Sequence, residues 1–521
     1  PEGAADAASG SVVADIGIYD DPDNQIQGTY SIDVTAQNTM IIGSAQSGKT
    51  NVLQCMIRSL AERYSPEEVT IYIIDFASMI LKNFEELKHV GDVITYTEDD
   101  RLKNFFKMME QELAKRKDML SNMGLSSYSA YRESGQKDLP QIVIMLDNMG
   151  VFREMFPNMD EKMLKLAREG SSVGISLIVT ALQTSGLGYR YLSNFPKRFV
   201  LYCNDSGEYS SVLERCRKSL NSVPGRCLFS MNKTIYEGQT YIAFPAEKEI
   251  DRVKEIRAFI EQINEKDQGT GAAKTPTVPE HVTAGMLHDR LGETAEPYTL
   301  PLGISFDSMD VDTVNLLNYQ IYGVNGDDAL GRKDFILYTA QELWEHRETA
   351  PVRIYLFDDE GQELKELESK VDFYTSSAEE GIRKFEELCG KILERKDRVF
   401  NNEPLLYVLI NNPAMYEMIG ENEELLTLVK KCLIECSECK YTVALTKLPD
   451  VNLQYKATAF IKILKDANNL FVFRQLQDIK LFDVNSKIRS HYSKHLNAHE
   501  MYFKCGDYFG KYKMADMSIR P

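Results

Sequence analysis

Eight residues restrict the fold of this chain more than any others. Gly43-Ser44-Ala45-Gln46-Ser47-Gly48-Lys49-Thr50 follows the apolar run TMII and opens a stretch with Val52, Leu53, Met56, Ile57 and Leu60 at helical spacing. Glycine, four residues, then Gly-Lys-Thr between a strand and a helix is the P-loop pattern. Gly43 and Gly48 let backbone N–H groups curl round phosphate oxygens, and the helix N-terminus adds its partial positive charge. Lys49 is then expected to reach the β- and γ-phosphates of ATP, and the Thr50 hydroxyl to bind Mg²⁺.

Such a loop needs a parallel sheet around it. TMIIG, VTIYIID, QIVIMLD, ISLIVTAL and RFVLYC are almost continuously apolar, as strands covered by helices on both faces should be. The same order recurs further on. VTIYIIDFASMILKNFEEL is echoed by VRIYLFDDEGQELKEL, QIVIMLDNMG by LLYVLINNPA, and ISLIVTALQ by YTVALTKLP. ADIGIYDDPDNQIQGTYSIDVTAQNTMIIGSAQSGKT is likewise echoed by LPLGISFDSMDVDTVNLLNYQIYGVNGDDALGRKDF, and four blocks in one order argue for duplication of a whole domain. Residues 266–280 turn small, polar and Gly/Pro-containing, which reads as a linker between an α/β domain over 1–265 and a second over 281–521.

Composition narrows the class. No apolar run reaches the ~18–20 residues needed to span a bilayer, so this stretch of chain reads as soluble. It starts at Pro1, as a fragment of something longer would. Nine irregularly spaced cysteines fit reduced thiols rather than a disulfide framework. A net charge of -18 argues against a DNA-coating surface and predicts no nucleic-acid partner.

Around the P-loop, Asp147 at the tip of QIVIMLD is the expected second acidic element, holding Mg²⁺ through water. The next residue is Asn148, where ATPases commonly place a Glu that activates water. Asn can orient a water but cannot take its proton, so good binding with slow hydrolysis is expected. Thr180 and Gln183, closing the following strand, fit a polar γ-phosphate sensor or a strand reaching solvent. Asp75, closing the strand after the P-loop helix, fits the same ligand edge or a turn residue.

The second copy has lost these features. Counted from Gly323, the Gly, Lys and Thr positions hold Asp328, Ala329 and Leu330; counted from Gly326, they hold Gly331, Arg332 and Lys333. Either register brings Asp327 and Asp328 into the loop, where like charges repel phosphate. The acidic strand tip has become Asn411-Asn412, so neither hydrolysis nor tight binding is expected. Two other patterns are decoys. Cys432, Cys436 and Cys439 have cluster-like spacing but read as buried small hydrophobes at a helix end. His491, His495 and His499 recur every four residues and read as a solvated polar helix.

IGIYDDPDNQ, GSAQSGKT, IIDF, ELAKRKDML, IVIMLDN, REGSSVGISLIVTALQ, FVLYCND and PGRCLF together resemble the FtsK/SpoIIIE-type P-loop ATPases. Within them the chain is most similar to the membrane-anchored ATPases of type VII (Esx, WXG-type) secretion. The resemblance implies two tandem RecA-like P-loop domains and export of small helical-hairpin (WXG/Esx-type) substrates. It further implies other membrane components as partners, hexameric assembly, and a place on the cytoplasmic face of the bacterial plasma membrane, with anchors in a missing N-terminal part. Carried over by position, Gly48, Lys49, Thr50 and Asp147 are the phosphate and metal residues, with Lys49 and Asp147 catalytic. Asn148 departs from the pattern, and IDFASM lacks the Lys and Gly common in active relatives. Arg153 and Arg168 lie in blocks suited to an arginine finger, but each reads better as an ordinary surface or salt-bridge arginine. The alternative is a DNA translocase of the same superfamily, which predicts a basic face this chain lacks.

Overall fold

The apolar runs around the P-loop become strands buried at every residue, as cover on both faces demands. The computed structural model describes the chain except residues 1–9, 23, 36, 137, 186, 268, 293–295, 398–402, 493–494 and 519–521. It divides into two compact units, Pro1–Pro276 and Thr277–Pro521. The first unit holds β1 (Val13–Asp21), β2 (Ile26–Asp33), β3 (Thr39–Ile42), β4 (Val69–Asp75), β5 (Val90–Thr95), β6 (Gln141–Asp147), β7 (Ile175–Ala181), β8 (Lys197–Leu201), β9 (Arg226–Met231) and β10 (Thr234–Thr240). Their order in one sheet is β2-β1-β10-β9-β8-β3-β7-β6-β4-β5. From β8 to β5 every pairing is parallel. The remaining pairings are antiparallel, so the sheet is mixed with a parallel majority.

Alternation along each strand feeds two apolar layers. Met40, Ile42, Ile144 and Leu146 point into one, and Ile41, Val143 and Met145 into the other. The helix Lys49–Arg63 closes the second layer with Val52, Leu53, Met56, Ile57 and Leu60, the stripe read from the sequence.

The second unit holds β11 (Thr299–Ser305), β12 (Val311–Asn315), β13 (Ile321–Gly326), β14 (Val352–Phe357), β15 (Phe373–Thr375), β16 (Leu405–Ile410), β17 (Tyr441–Leu445), β18 (Asn469–Phe473), β19 (Glu500–Cys505) and β20 (Tyr508–Lys513). Their order, β12-β11-β20-β19-β18-β13-β17-β16-β14-β15, repeats that of the first unit strand for strand. A bulge in the first strand recurs too, between Asp15 and Gly17 and between Pro301 and Gly303. These are two copies of one RecA-like sheet.

The Gly/Pro-containing stretch does not simply bridge. After the helix Glu249–Lys266, residues 269–276 lie along the first unit. Ala272 N–H donates to Lys88 O (2.7 Å), Tyr72 Oη to Ala273 O (2.7 Å) and Asn104 Nδ2 to Pro276 O (3.1 Å). Gly91 makes room: a Cβ there would lie 2.3 Å from the Tyr72 ring and 2.6 Å from Ala273 O. Small residues read from sequence as a linker serve, over 269–276, as a strap.

Candidate nucleotide-binding site

The P-loop leaves β3 and is tied down on both sides. Gly43 N–H donates to Ala181 O at the end of β7 (3.1 Å), and Ser44 N–H to Tyr202 O just beyond β8 (2.8 Å). A Cβ on Gly43 would lie 2.5 Å from Ser47 Oγ. Gly48 caps the helix Lys49–Arg63 at φ 108, a conformation few L residues adopt, and Gln46 has φ 61. Ala45 and Gln46 are exposed at the tip, while Ser47 is buried with its hydroxyl unpaired. Two further segments brace the loop: in the turn before β9 Gly225 N–H donates to Ser47 O (2.9 Å), and in the segment after β8 Asn204 N–H donates to Ser44 Oγ (2.8 Å). Neither brace was anticipated; the Pro224-Gly225 pair ahead of a strand was its only signal.

Lys49 folds back over this cradle, donating to Gly43 O (2.7 Å) and Ser44 O (2.8 Å). Burial lowers its pKa, and the Asp147 carboxylate opposes that shift. Asp147 sits two strands from the P-loop, because β7 lies between β3 and β6. The intervening strand is what brings Thr180 beside it. Thr50 Oγ1 donates to Asp147 Oδ2 (2.6 Å) and Thr180 Oγ1 to Asp147 Oδ1 (2.6 Å). Burial raises the Asp147 pKa, and the two hydroxyls pull it down. A hydroxyl and a carboxylate beside a glycine cradle are hard oxygen donors of the kind Mg²⁺ takes. Ala45, Gln46, Gly48, Lys49, Thr50, Asn51, Ala77, Asp147, Asn148, Ala181 and Leu182 line an open cleft of about 420 Å³.

Three expected residues stand elsewhere. Asp75 pairs in register with Asp147, yet it is fully buried and accepts from Ala77 N (3.1 Å) and Leu81 N (3.1 Å), which is the turn role. Thr180 is fully buried and serves Asp147 and Asn148 N–H (2.8 Å) rather than the cleft. Gln183 lies past the strand end, exposed and outside the cleft lining. Asn148 does line the cleft, in the left-handed region at φ 80, with its side chain accepting from Val151 N (3.3 Å) as a helix cap. Arg153 and Arg168 have carboxylate partners within the unit, Asp160 (3.0 Å) and Glu169 (2.7 Å).

The second unit settles which register its loop keeps. Gly331 caps the helix Arg332–Glu345 at φ 101, as Gly48 caps its own, so Arg332 stands at the position of Lys49 and Lys333 at that of Thr50. Asp327 and Asp328 do not meet as unpartnered like charges: one pairs with Arg474 (3.4 Å), the other with Arg332 (2.8 Å). Arg332 also pairs with Glu363, which accepts from Asn411 Nδ2 (3.2 Å) and faces Lys447 (3.6 Å). Asp358 repeats Asp75, accepting from Asp359 N and from Leu364 N six residues on, and Thr446 donates to Asn411 Oδ1 (2.7 Å) as Thr180 does to Asp147. The scaffold of the site survives, and its own side chains fill it.

Cys432, Cys436 and Cys439 are buried and free, at and just beyond the end of the helix Glu423–Glu435. The expected histidine helix is shorter than its spacing predicted. It ends at His491, His495 is exposed beyond it, and His499 occupies a turn.

Residues 22–186 match the FtsK/SpoIIIE family model. Over 387 residues the chain is 24% identical to the ESX secretion system protein EccC of Geobacillus thermodenitrificans, covering 74% of this chain and 26% of that protein. It is 23% identical to the ESX secretion system protein YukB of Bacillus subtilis, over 73% of this chain and 25% of that protein. The chain thus spans about a quarter of the length of the curated relatives it matches. Among solved structures, EssC (ATPases 2 and 3) from Geobacillus thermodenitrificans superposes with a TM-score of 0.76 at 21% identity, covering 99% of this chain and 98% of that one. EccC (ATPases 2 and 3) from Thermomonospora curvata, in complex with a signal sequence peptide, gives 0.74 at 19% identity, covering 98% and 94%. The resemblance to FtsK/SpoIIIE-type ATPases drawn from the sequence is met by the family model, that to type VII secretion ATPases by the relatives, and the tandem ATPase fold by the solved structures.

Proposed function

We propose that the chain is the nucleotide-binding part of a type VII secretion ATPase in which the first unit binds Mg-ATP and turns it over slowly. The unbroken run Thr50–Asp147–Thr180 beneath the Gly43–Gly48 cradle carries this reading. Backbone N–H groups and Lys49 hold the phosphates, and Thr50 with Asp147 would hold the ion. Bound Mg²⁺ neutralises charge on the phosphate oxygens. Lys49 is already poised over the loop, so a nucleotide exchanges its carbonyl partners for phosphate oxygens without a large movement. Asn148 cannot take a proton from water, and its side-chain oxygen is engaged in the cap.

The second unit keeps the sheet and lacks the chemistry. Its role is recognition, of small helical-hairpin secretion substrates or of partner subunits, a reading supported by the signal peptide held by the Thermomonospora relative. No helix among the described residues is long and apolar enough to cross a membrane. Membrane anchors are assigned to other parts of a longer protein at the cytoplasmic face of the bacterial membrane, in keeping with the greater length of the relatives, and hexameric assembly with other membrane components to that full-length protein. The acidic balance disfavours the DNA-translocase alternative.

The test is ATP affinity and turnover for the full chain and for Lys49→Ala. Loss of a charge-assisted contact of about 1.5–3 kcal/mol should weaken binding roughly ten- to a hundredfold, with wild-type turnover low. Lys49-independent binding would sink the assignment of this loop, and fast turnover would sink the assignment of Asn148.

A further inference from the structure

Among the described residues, the second unit carries a cluster that the first does not. His499 Nε2 lies 2.8 Å from Asp334 Oδ2 and 3.5 Å from Asp516 Oδ1, and one ligand atom from each residue lies within 4.8 Å of the others. The three come from separate segments: the first turn of the helix Arg332–Glu345, the turn before β19 and the chain after β20. We infer that Asp334, His499 and Asp516 form a binding site for a divalent transition ion, which staples the start of that helix to the last strands of the sheet.

The spacing suits an ion. Oxygen and nitrogen ligands about 2.1 Å from a metal stand roughly 3.0 Å apart when octahedral and about 3.4 Å apart when tetrahedral. One imidazole with two carboxylates is a borderline donor set, which suits Zn²⁺ better than Ca²⁺ or Mg²⁺. Asp516 is fixed by its neighbours, with Ser518 N–H (2.9 Å) and Ser518 Oγ (2.6 Å) donating to Oδ1. The remaining coordination positions would be water. Lys513, whose ammonium donates to Ala498 O (2.8 Å), is the nearby cation acting against an ion here.

The matching positions of the first unit show that the fold does not require these side chains. His499 N–H donates to Leu330 O (3.0 Å) and its carbonyl accepts from Met514 N (2.9 Å), as Gly225 does with Ser47 O and Thr240 N. Gly225, with φ 81, therefore stands where His499 stands with φ 59. A β-carbon in that region costs energy that glycine does not. Asp334 and Asp516 correspond by the same count to Asn51 and the exposed Ile242. In the first unit the clasp is made of hydrogen bonds: Asn51 donates to Tyr241 O (2.7 Å) and accepts from Ala243 N (3.1 Å), with Cys55 Sγ on Tyr241 O (3.3 Å) and Arg58 Nη1 on Ala243 O (2.7 Å) alongside. In the second unit two acids and a strained histidine replace it beside Gly331, at the mouth of the decayed loop. A metal ion explains all three replacements together.

The test is zinc titration by calorimetry on the full chain, stripped with chelator and free of Mg²⁺ and nucleotide, with thermal unfolding in parallel. His499→Gly is the informative variant, because it installs the residue of the first unit and relieves the backbone. The site predicts one zinc equivalent on wild type with a raised melting temperature. It predicts that His499→Gly stays folded without metal and loses that equivalent, and that Asp334→Asn binds at least about tenfold more weakly. Equal zinc uptake by wild type and His499→Gly would overturn the site. So would an absence of uptake by wild type, or a destabilised His499→Gly with no zinc effect, which is the signature of an ion pair alone.

Discussion

Thr180→Val tests whether Asp147 is held as a carboxylate by its neighbours. The substitution keeps the shape of a fully buried side chain and removes only its hydroxyl. Asp147 then loses one of its two hydroxyl donors, and the Asn148 N–H loses its acceptor. A hydrogen bond to a charged group contributes about 1.5–3 kcal/mol and a stranded N–H costs about 1–3 kcal/mol. Asn148 is partly reachable by water, so a total of about 2–4 kcal/mol is expected. The matched control is Thr446→Val, whose hydroxyl donates to the neutral Asn411 and should cost about 1 kcal/mol. The pH dependence separates them further. Burial already lifts the folded-state pKa of Asp147 above the ordinary carboxylate value, and losing Thr180 lifts it more. A carboxyl raised in the folded state makes stability increase as pH falls through that folded pKa. The Thr180→Val deficit is therefore largest above that pKa and shrinks as Asp147 protonates, while the Thr446→Val deficit has no such slope. Urea unfolding can resolve the two units, because Trp344 is the single tryptophan and lies in the second. Fluorescence follows that unit, and far-ultraviolet circular dichroism follows both. Equal costs with parallel pH profiles would refute the reasoning.

Asn148→Asp keeps a residue that tolerates the left-handed region and can cap the following helix, and adds a proton acceptor at the cleft. ATP turnover by steady-state assay should rise at least about tenfold, with affinity little changed. Glu363→Ala leaves the buried Arg332 guanidinium with Asp328 as its carboxylate partner and should cost about 3 kcal/mol, read as an earlier Trp344 transition with the first unit unmoved. Gly91→Ala drives a methyl into the Tyr72 ring and Ala273 O, so residues 270–273 should lift from the first unit. Faster amide exchange at Ala272, whose N–H is bonded to Lys88 O, would report it; unchanged exchange would mean the strap tolerates the methyl.

Local features were legible from the sequence because short-range physics writes them. Apolar runs of the right length became strands buried throughout, and the Gly-x-x-x-x-Gly-Lys-Thr spacing became a left-handed cap on an amphipathic helix. Duplication was visible because two similar strings must satisfy one sheet order. Which partner each polar side chain takes was decided by tertiary structure, through strand register between residues far apart in the chain. Asp75 and Asp147 both end apolar strands; backbone N–H groups of a following turn claim one, and two hydroxyls claim the other. Thr180 reads as a strand end facing ligand until β7 inserts between β3 and β6 and turns it toward Asp147. Gly331 could be matched to Gly48 only by its backbone angle, since Asp327–Leu330 fits two alignments. Asp334, His499 and Asp516 are scattered over the second half of the chain, and only the return of the last strands to the loop brings them together. Spacing along a chain fixes what a segment can be, and packing across the sheet fixes what its side chains meet.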